Sequence, residues 1–579
     1  MTAINRLNKL IEYAWSVPLL GQLINRIGVN NLASSNPPRP RPYSLWSAKE
    51  KPDVSDYTAW PSLKDRNFSG RHLPPAPQSY TDSLPPDKSY NPQDLPCNLQ
   101  EIGEITALFK RKDGVMIKDR SSVLFMFFAQ WFTDSVLRVD PNDRRKNTSN
   151  HEIDLCQIYG LEETTTNILR LRSHNEKEKG KLRSQMIDGE EYLDYLYEQD
   201  AEGRLVAKKC YENLPFISQI DKILKEFPEN TREDRKKKLY ATGLERGNAN
   251  IGYVAISTLF MREHNRICKE LQTRNPNWDD EQVFQTARLI NITLLLKFIL
   301  QDYINHISGA KIFRMDTSFA DRDKWYRNSW LKKILHTLQK SIITHWGATA
   351  LQRWYLSNWV EYKRWYRTNW IAIEFNLLYR WHSLVPDNFI VNDRCYSGNE
   401  FRSNNQILED LGIGTVLKAA SQQAAGKIGL FNNPDFLLCA EYQTIKMSRD
   451  FRLRPYNEYR AQFGLPKFSK FSEITKNVQI QNELKRLYNN DIDKVEFLIG
   501  LFAEDPTGNG IFGGLLQTMV ATDAFTQALT NPLLSQNIFN ENTFTEYGYD
   551  LIKKTISLQD FVERNITPDP SVKVAFQVN

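Results

Sequence analysis

The segment IEFNLLYRWHSLVPDNF (373–389) decides the reading of this chain. Its apolar run predicts a helix, and Tyr379 and His382, three residues apart, then project from one face of it. An imidazole there can ligate haem iron. A phenol beside such a centre can be oxidised to a radical. A bare Tyr-x-x-His pattern is equally compatible with a buried core tyrosine and a structural histidine, so the surrounding sequence must discriminate.

Working outward, FFAQWFTDSVLR (127–138) forms a second aromatic-rich helical stretch, followed by HEIDLCQIYG (151–160) and KGKLRSQMIDGEEY (179–192). FMREHNRICKEL (260–271), DDEQVFQTARLI (279–290) and DYINHISGAKI (302–312) come next. RLRPYNEYRAQFGL (452–465) and IFGGLLQTMVATDAFTQALTNP (511–532) complete the series. In this order, over roughly residues 40–560, the series resembles the prostaglandin G/H synthases (cyclooxygenases) of the animal-type haem peroxidase superfamily. The resemblance implies a mainly α fold, a large haem-peroxidase-type helical catalytic domain with a short N-terminal amphipathic membrane-binding segment. The expected division is 1–36 for that segment, 37–100 for a proline-rich wrapping segment and 101–579 for the catalytic domain.

By matching motif positions, the resemblance makes His382 the proximal iron ligand of haem b and Tyr379 the radical site. Phe375 and Leu378 would contact an acyl chain near Tyr379, and Tyr303 would brace Tyr379 by a hydrogen bond, with Ile304 beside it among the substrate contacts. Gln130 and Thr133 match residues on the distal side of the haem. Asp134 stands where the family has its distal histidine. Neutral imidazole moves a peroxide proton well near pH 7, whereas an ordinary Asp, with a pKa of about 3.9, is a poor base unless burial raises that value. Losing such a group typically costs about 10²–10⁴ in rate, so the expected peroxidase activity is weak.

Further departures lie along the expected substrate channel. Ala524 replaces the serine modified by aspirin, and Gln517 and Gln527 bring amides to apolar or small positions. The channel-mouth tyrosine falls on Ala310, and the carboxylate-binding arginine on Asn30, with Arg26 one turn earlier. The implied function is a haem-dependent dioxygenase that adds O2 to an unsaturated fatty acid or related lipid after activation by a hydroperoxide. Two alternatives stay open: a haem enzyme of altered chemistry (hydroperoxide-rearranging or peroxygenase-like), and a non-catalytic lipid-binding homologue.

Composition agrees with a large folded enzyme. Among 579 residues, 41% are hydrophobic and 25% charged, with a net charge of +6, which suits a sizeable core and argues against a dedicated nucleic-acid binder. Six scattered cysteines without a CxxC are expected to be free thiols. The start MTAINRLNKLIEYAW lacks a signal-peptide pattern, and no uncharged apolar stretch reaches the roughly twenty residues of a bilayer span. A cytoplasmic, peripherally membrane-associated protein is therefore expected. Ile4, Leu7, Leu10 and Ile11, then Leu19, Leu20, Leu23, Ile24 and Ile27, line two short amphipathic pieces that could lie on a membrane or pack on the body.

Proline-rich linkers occupy 36–44 and 72–92, and 228–248 looks like a charged, solvated connection. An insertion at about 321–370 holds seven of the thirteen tryptophans and ten Lys or Arg against three acids. It suits a membrane interface or a packed helical insertion, and less well single-stranded nucleic acid. Homodimerisation is typical of the resembled enzymes, but no feature of this sequence argues for it.

Overall fold

A computed structural model describes residues 69–87, 103–309, 313–315 and 371–578, apart from residues 141, 150–152, 174, 530 and 535–537. The expected membrane segment (1–36), most of 37–100, the insertion at 321–370, and Asn30, Arg26 and Ala310 lie outside the described residues. Helices dominate the remainder. The ones that position the site are α1 (Val123–Thr133), α2 (Ile251–Arg274), α3 (Asp280–Phe298), α4 (Ile373–Leu378), α5 (Leu438–Asp450) and α6 (Gly514–Leu529). Strands are minor: the described residues contain four two-stranded sheets. In one of them, Ser184–Ile187 pairs antiparallel with Glu190–Leu193 across Asp188–Gly189. Both turn residues have positive φ (49° and 85°), as a two-residue primed hairpin turn requires.

α1 is apolar around nearly its whole circumference, which marks a helix surrounded by protein. Every residue from Val123 to Phe132 is buried except Gln130. The Ser122 hydroxyl caps its start, accepting from the Phe125 N–H at 3.2 Å. α2 packs along it, joined by the Trp131 indole donating to Ser257 Oγ at 2.9 Å and stacking on Phe260 at 4.9 Å. Their approach is close enough that a Cβ on Gly252 would sit 2.1 Å from the Phe127 ring.

α3 starts at the Asp279 cap, whose carboxylate accepts from the Gln282 N–H at 2.7 Å. It continues through a π turn at Ile299–Tyr303 and a last α segment, Ile304–Ser308, before Gly309 ends it in the left-handed conformation (φ 69°). The stretch Asp280–Ser308 is long and apolar enough to cross a membrane, although no such stretch was expected from the sequence. Some 83% of that window is buried inside the protein, so it serves as a core helix.

The cysteines depart from expectation. Cys156, Cys210, Cys268 and Cys395 are free, but Cys439 is disulfide-bonded. Pairing depends on Cα atoms lying about 4.4–6.8 Å apart in space, which scattered spacing in sequence cannot reveal.

The α1–α2 contact yields a test. Gly252→Ala gains up to about 1 kcal/mol of helix propensity, but it forces an atom into the buried Phe127 ring, and overpacking typically costs about 1–3 kcal/mol. Net destabilisation of about 1 kcal/mol is therefore expected in urea unfolding, and a stabilised variant would contradict the packing described.

Candidate active site

Tyr379 and His382 do not share a helix. α4 ends at Leu378, Tyr379 is its C-terminal cap (φ −87°, ψ 10°), and His382 opens a 3₁₀ turn, His382–Leu384. The expectation of one continuous helix fails because the Trp381 indole donates to the Leu378 carbonyl at 2.7 Å, satisfying it from a side chain. Trp381 itself adopts a non-helical φ −88°, ψ 54°. Tyr379 and His382 nevertheless line the same cavity, of about 510 Å³.

That cavity gathers every sequence-predicted haem residue. Gln130, Thr133 and Asp134 come from the end of α1, and Tyr379 and His382 from the segment after α4. Asn250 links the two helices on the distal side. Its carbonyl oxygen caps α2 by accepting from the Tyr253 N–H at 2.9 Å, while its amide nitrogen donates to Gln130 Oε1 at 2.7 Å. The Thr133 hydroxyl donates to the Gln130 carbonyl at 3.0 Å.

Asp134 is 7% exposed, with one carboxylate oxygen 3.8 Å from Arg246 Nη1 and the other, Oδ2, buried without a hydrogen bond. Burial raises its pKa, against the lowering pull of Arg246 and Arg138. Glu245, paired with Arg138 at 2.7 Å, pushes it further upward. The segment expected to be a solvated connection thus does something else. Residues 239–244 are buried, and Glu245 and Arg246 enter the cavity wall. Ten of the 21 residues in 228–248 are charged, which hid its buried half.

On the side expected to be proximal, His382 Nδ1 lies 2.6 Å from Glu441 Oε2, on α5. The sequence offered no sign of this partner, 59 positions away. Arg380 also lines the cavity, donating to Thr444 Oγ1 at 3.2 Å and leaving its Nε buried without a partner. Burial lowers its pKa to about 10, so it remains a cation at neutral pH.

Tyr379 is buried between two rings, Trp381 stacked at 4.3 Å and Phe375 edge-on at 4.8 Å. Burial drives its phenol well above the ordinary range, Tyr303 pulls it back and Asp523 adds to the rise. Tyr303, the expected brace, is a neighbour, and the two phenols perturb each other through a side-chain hydrogen-bond interaction. Tyr303 itself packs against Phe125 and Phe128, with ring centroids 5.3 and 5.5 Å away.

A second cavity, of about 810 Å³, holds other expected substrate residues: Ile304, Gln517 and Ala524. Ile307, Phe313 and Val520 add apolar walls. The amide of Gln517 is partly satisfied, its Oε1 accepting from the Thr507 hydroxyl at 3.3 Å. Phe375 and Leu378 line neither cavity. Both are buried in the core, where Phe375 packs on Tyr379 itself. Gln527 is buried as well, away from both linings.

The first cavity suits a haem. Its size falls in the usual cofactor-site range of about 300–1,000 Å³. An imidazole backed by a carboxylate faces it, Met126, Ala129, Leu137 and Leu224 supply apolar walls, and the unpaired Arg380 Nε and cationic Arg246 suit propionates. A family model for animal haem peroxidases matches residues 109–575.

The chain belongs to the animal haem peroxidase family.

Prostaglandin G/H synthase 1 of Mus musculus is 31% identical over 523 residues, covering 89% of this chain and 74% of that protein. Prostaglandin G/H synthase 2 of Gallus gallus is 29% identical over 518 residues, covering 89% and 73%. Among solved structures, the fatty acid alpha-dioxygenase of Oryza sativa shares the fold with a TM-score of 0.62 at 18% identity, covering 100% of this chain and 97% of that one. This haem peroxidase family member is accordingly a haem-binding oxidoreductase of the cyclooxygenase-like type.

The raised Asp134 carboxyl sets a pH-dependent stability. A group whose folded pKa exceeds its unfolded value adds stability at low pH, and that contribution is lost as pH rises through the folded value. Wild type should therefore lose ground to Asp134→Asn as pH climbs above about 4. Thermal unfolding of both proteins across pH measures this, and a constant difference would contradict the raised value.

Proposed function

We propose that this chain is a haem b-dependent dioxygenase that adds O2 to an unsaturated fatty acid or related lipid through a radical on Tyr379. The observation that carries the reading is the placement of Tyr379. It lines the haem cavity beside His382, while its phenol neighbours Tyr303, whose next residue, Ile304, lines the second cavity. The activities named for the relatives, prostaglandin G/H synthesis and fatty acid alpha-dioxygenation, support the same reading.

His382 would hold haem b, which, when bound and oxidised by a hydroperoxide, would supply a one-electron oxidant for the phenol. Tyr379 would give one electron to that oxidant and its proton to solvent through the cavity it lines, and its radical would take a bis-allylic hydrogen from the lipid, restoring the phenol. O2 joins the carbon radical, and the resulting peroxyl radical takes the Tyr379 hydrogen, leaving a lipid hydroperoxide and a renewed tyrosyl radical. The apolar part of the second cavity's lining, Ile304, Ile307, Phe313 and Val520, would hold the acyl chain and place one of its carbons. Trp381 and Phe375 pack on the Tyr379 ring and hold it in place.

A second reading, favoured by one observation, is a hydroperoxide-rearranging or peroxygenase-like enzyme. Its support is the buried Asp134 beside Arg246, a carboxyl that retains its proton to higher pH than usual. We also propose the division into 1–36, 37–100 and 101–579, and attachment of 1–36 to a membrane surface on the cytoplasmic side. The disulfide at Cys439 weighs against that compartment, since such bonds persist mainly in oxidising ones.

Oxygen uptake by the haem-reconstituted protein, over a panel of unsaturated fatty acids with a trace of lipid hydroperoxide, tests the radical mechanism. Uptake is expected with wild type and should fall to background in Tyr379→Phe with the Soret band intact. His382→Ala should lose the haem itself. Full uptake by Tyr379→Phe would end the tyrosyl-radical reading in favour of the second one.

A further inference from the structure

Glu441 is 0% exposed on α5, and its two oxygens have different surroundings. Oε2 accepts from His382 Nδ1 at 2.6 Å and from Asn433 Nδ2 at 2.9 Å. Oε1 is buried and makes no hydrogen bond. Burying a carboxylate in this way is unfavourable unless other groups compensate. The compensation is local: two N–H donors on one oxygen, and the Arg380 guanidinium anchored to Thr444, three residues along the same helix. So much arrangement around one histidine nitrogen needs a reason.

A metal-bound histidine whose second nitrogen donates to a carboxylate is locked in tautomer and orientation, and becomes a more basic ligand. More basic axial ligation stabilises ferric over ferrous haem, one of the levers by which a protein sets a haem potential. The two sides of the cavity are thereby unlike in a consistent way. The distal side carries Asp134 in place of an imidazole, and the proximal side carries a buried carboxylate behind its imidazole. Part of the burden of activation passes from a distal proton donor to proximal electron density.

We propose that Glu441 is a positioning residue that fixes His382 for Nε2 ligation and loads it with negative charge, holding the bound iron in the ferric state. Glu441 can do so only if His382 is the iron ligand proposed above.

The test uses the full chain reconstituted with haem, comparing wild type with Glu441→Gln, which keeps the shape and loses the charge, and with Glu441→Asp. Spectroelectrochemical titration of Glu441→Gln should shift the ferric/ferrous ratio at least tenfold toward ferrous, which is about 59 mV for a one-electron couple. Resonance Raman of the ferrous form should show its iron–histidine stretch falling, with haem content unchanged and Glu441→Asp restoring part of both signals. An unchanged potential and stretch in fully loaded Glu441→Gln overturns the role of Glu441 while leaving His382 as ligand. If Glu441→Gln does not fold, the wild-type stretch decides alone. A position typical of imidazolate-like ligation supports the proposal, and one typical of neutral imidazole overturns it. Wild type with no iron–histidine band, together with His382→Ala retaining haem, overturns the ligand assignment and the Glu441 role with it.

Discussion

The carbonyl of Leu378 is satisfied by an indole instead of a backbone amide, and the proximal side of the site depends on that substitution. By donating to it, Trp381 closes α4 and breaks the helical path between Tyr379 and His382. The same residue then lies flat against the phenol it has released from the helix. One side chain therefore ends an element, redirects the chain and packs on the Tyr379 ring. Had the helix continued, Tyr379 and His382 would stack one above the other on one face. Instead the break lets the imidazole turn to Glu441 while the phenol stays toward Tyr303.

The distal wall uses the opposite device, a helix that is kept intact and surrounded. α1 buries all but one of its first ten residues, and the exception, Gln130, opens onto the haem cavity. Its amide is oriented by Asn250, a residue whose primary task is to cap α2. Site geometry here is a by-product of helix termination: Ser122 and Asn250 cap helix starts, and Tyr379 and Asp134 occupy helix ends.

What could be read from the sequence was whatever sits close together in it. Tyr379 and His382, or Gln130, Thr133 and Asp134, announce themselves because each group lies within a few positions, and the series of helical motifs carried the mainly α fold. Contacts made across long separations left no trace. Glu441 stands behind His382 from another helix, and nothing in LLCAEYQTIK distinguishes it from a solvated glutamate. Arg246 and Glu245 were concealed in a run whose charge predicted exposure, yet its apolar and polar halves part company after Lys238. Phe375 and Leu378 were placed by matching motif positions, and the structure buries both in the core, with Phe375 packed on the Tyr379 ring. Cys439 required a distance that spacing alone does not supply.

The π turn at Ile299–Tyr303 has a consequence for how lipid selectivity could diverge on this scaffold. A π turn accommodates one more residue than the α-helix around it, and each added residue advances the helical phase by about 100°. Every side chain after Tyr303 is therefore rotated relative to an uninterrupted helix, and Ile304, Ile307 and Ser308 face the second cavity in that phase. Removing one residue from the turn would re-aim all three at once without altering their chemistry. Changes in helix phase, as opposed to substitutions, are thus an economical way for a lineage of such proteins to exchange one channel lining for another.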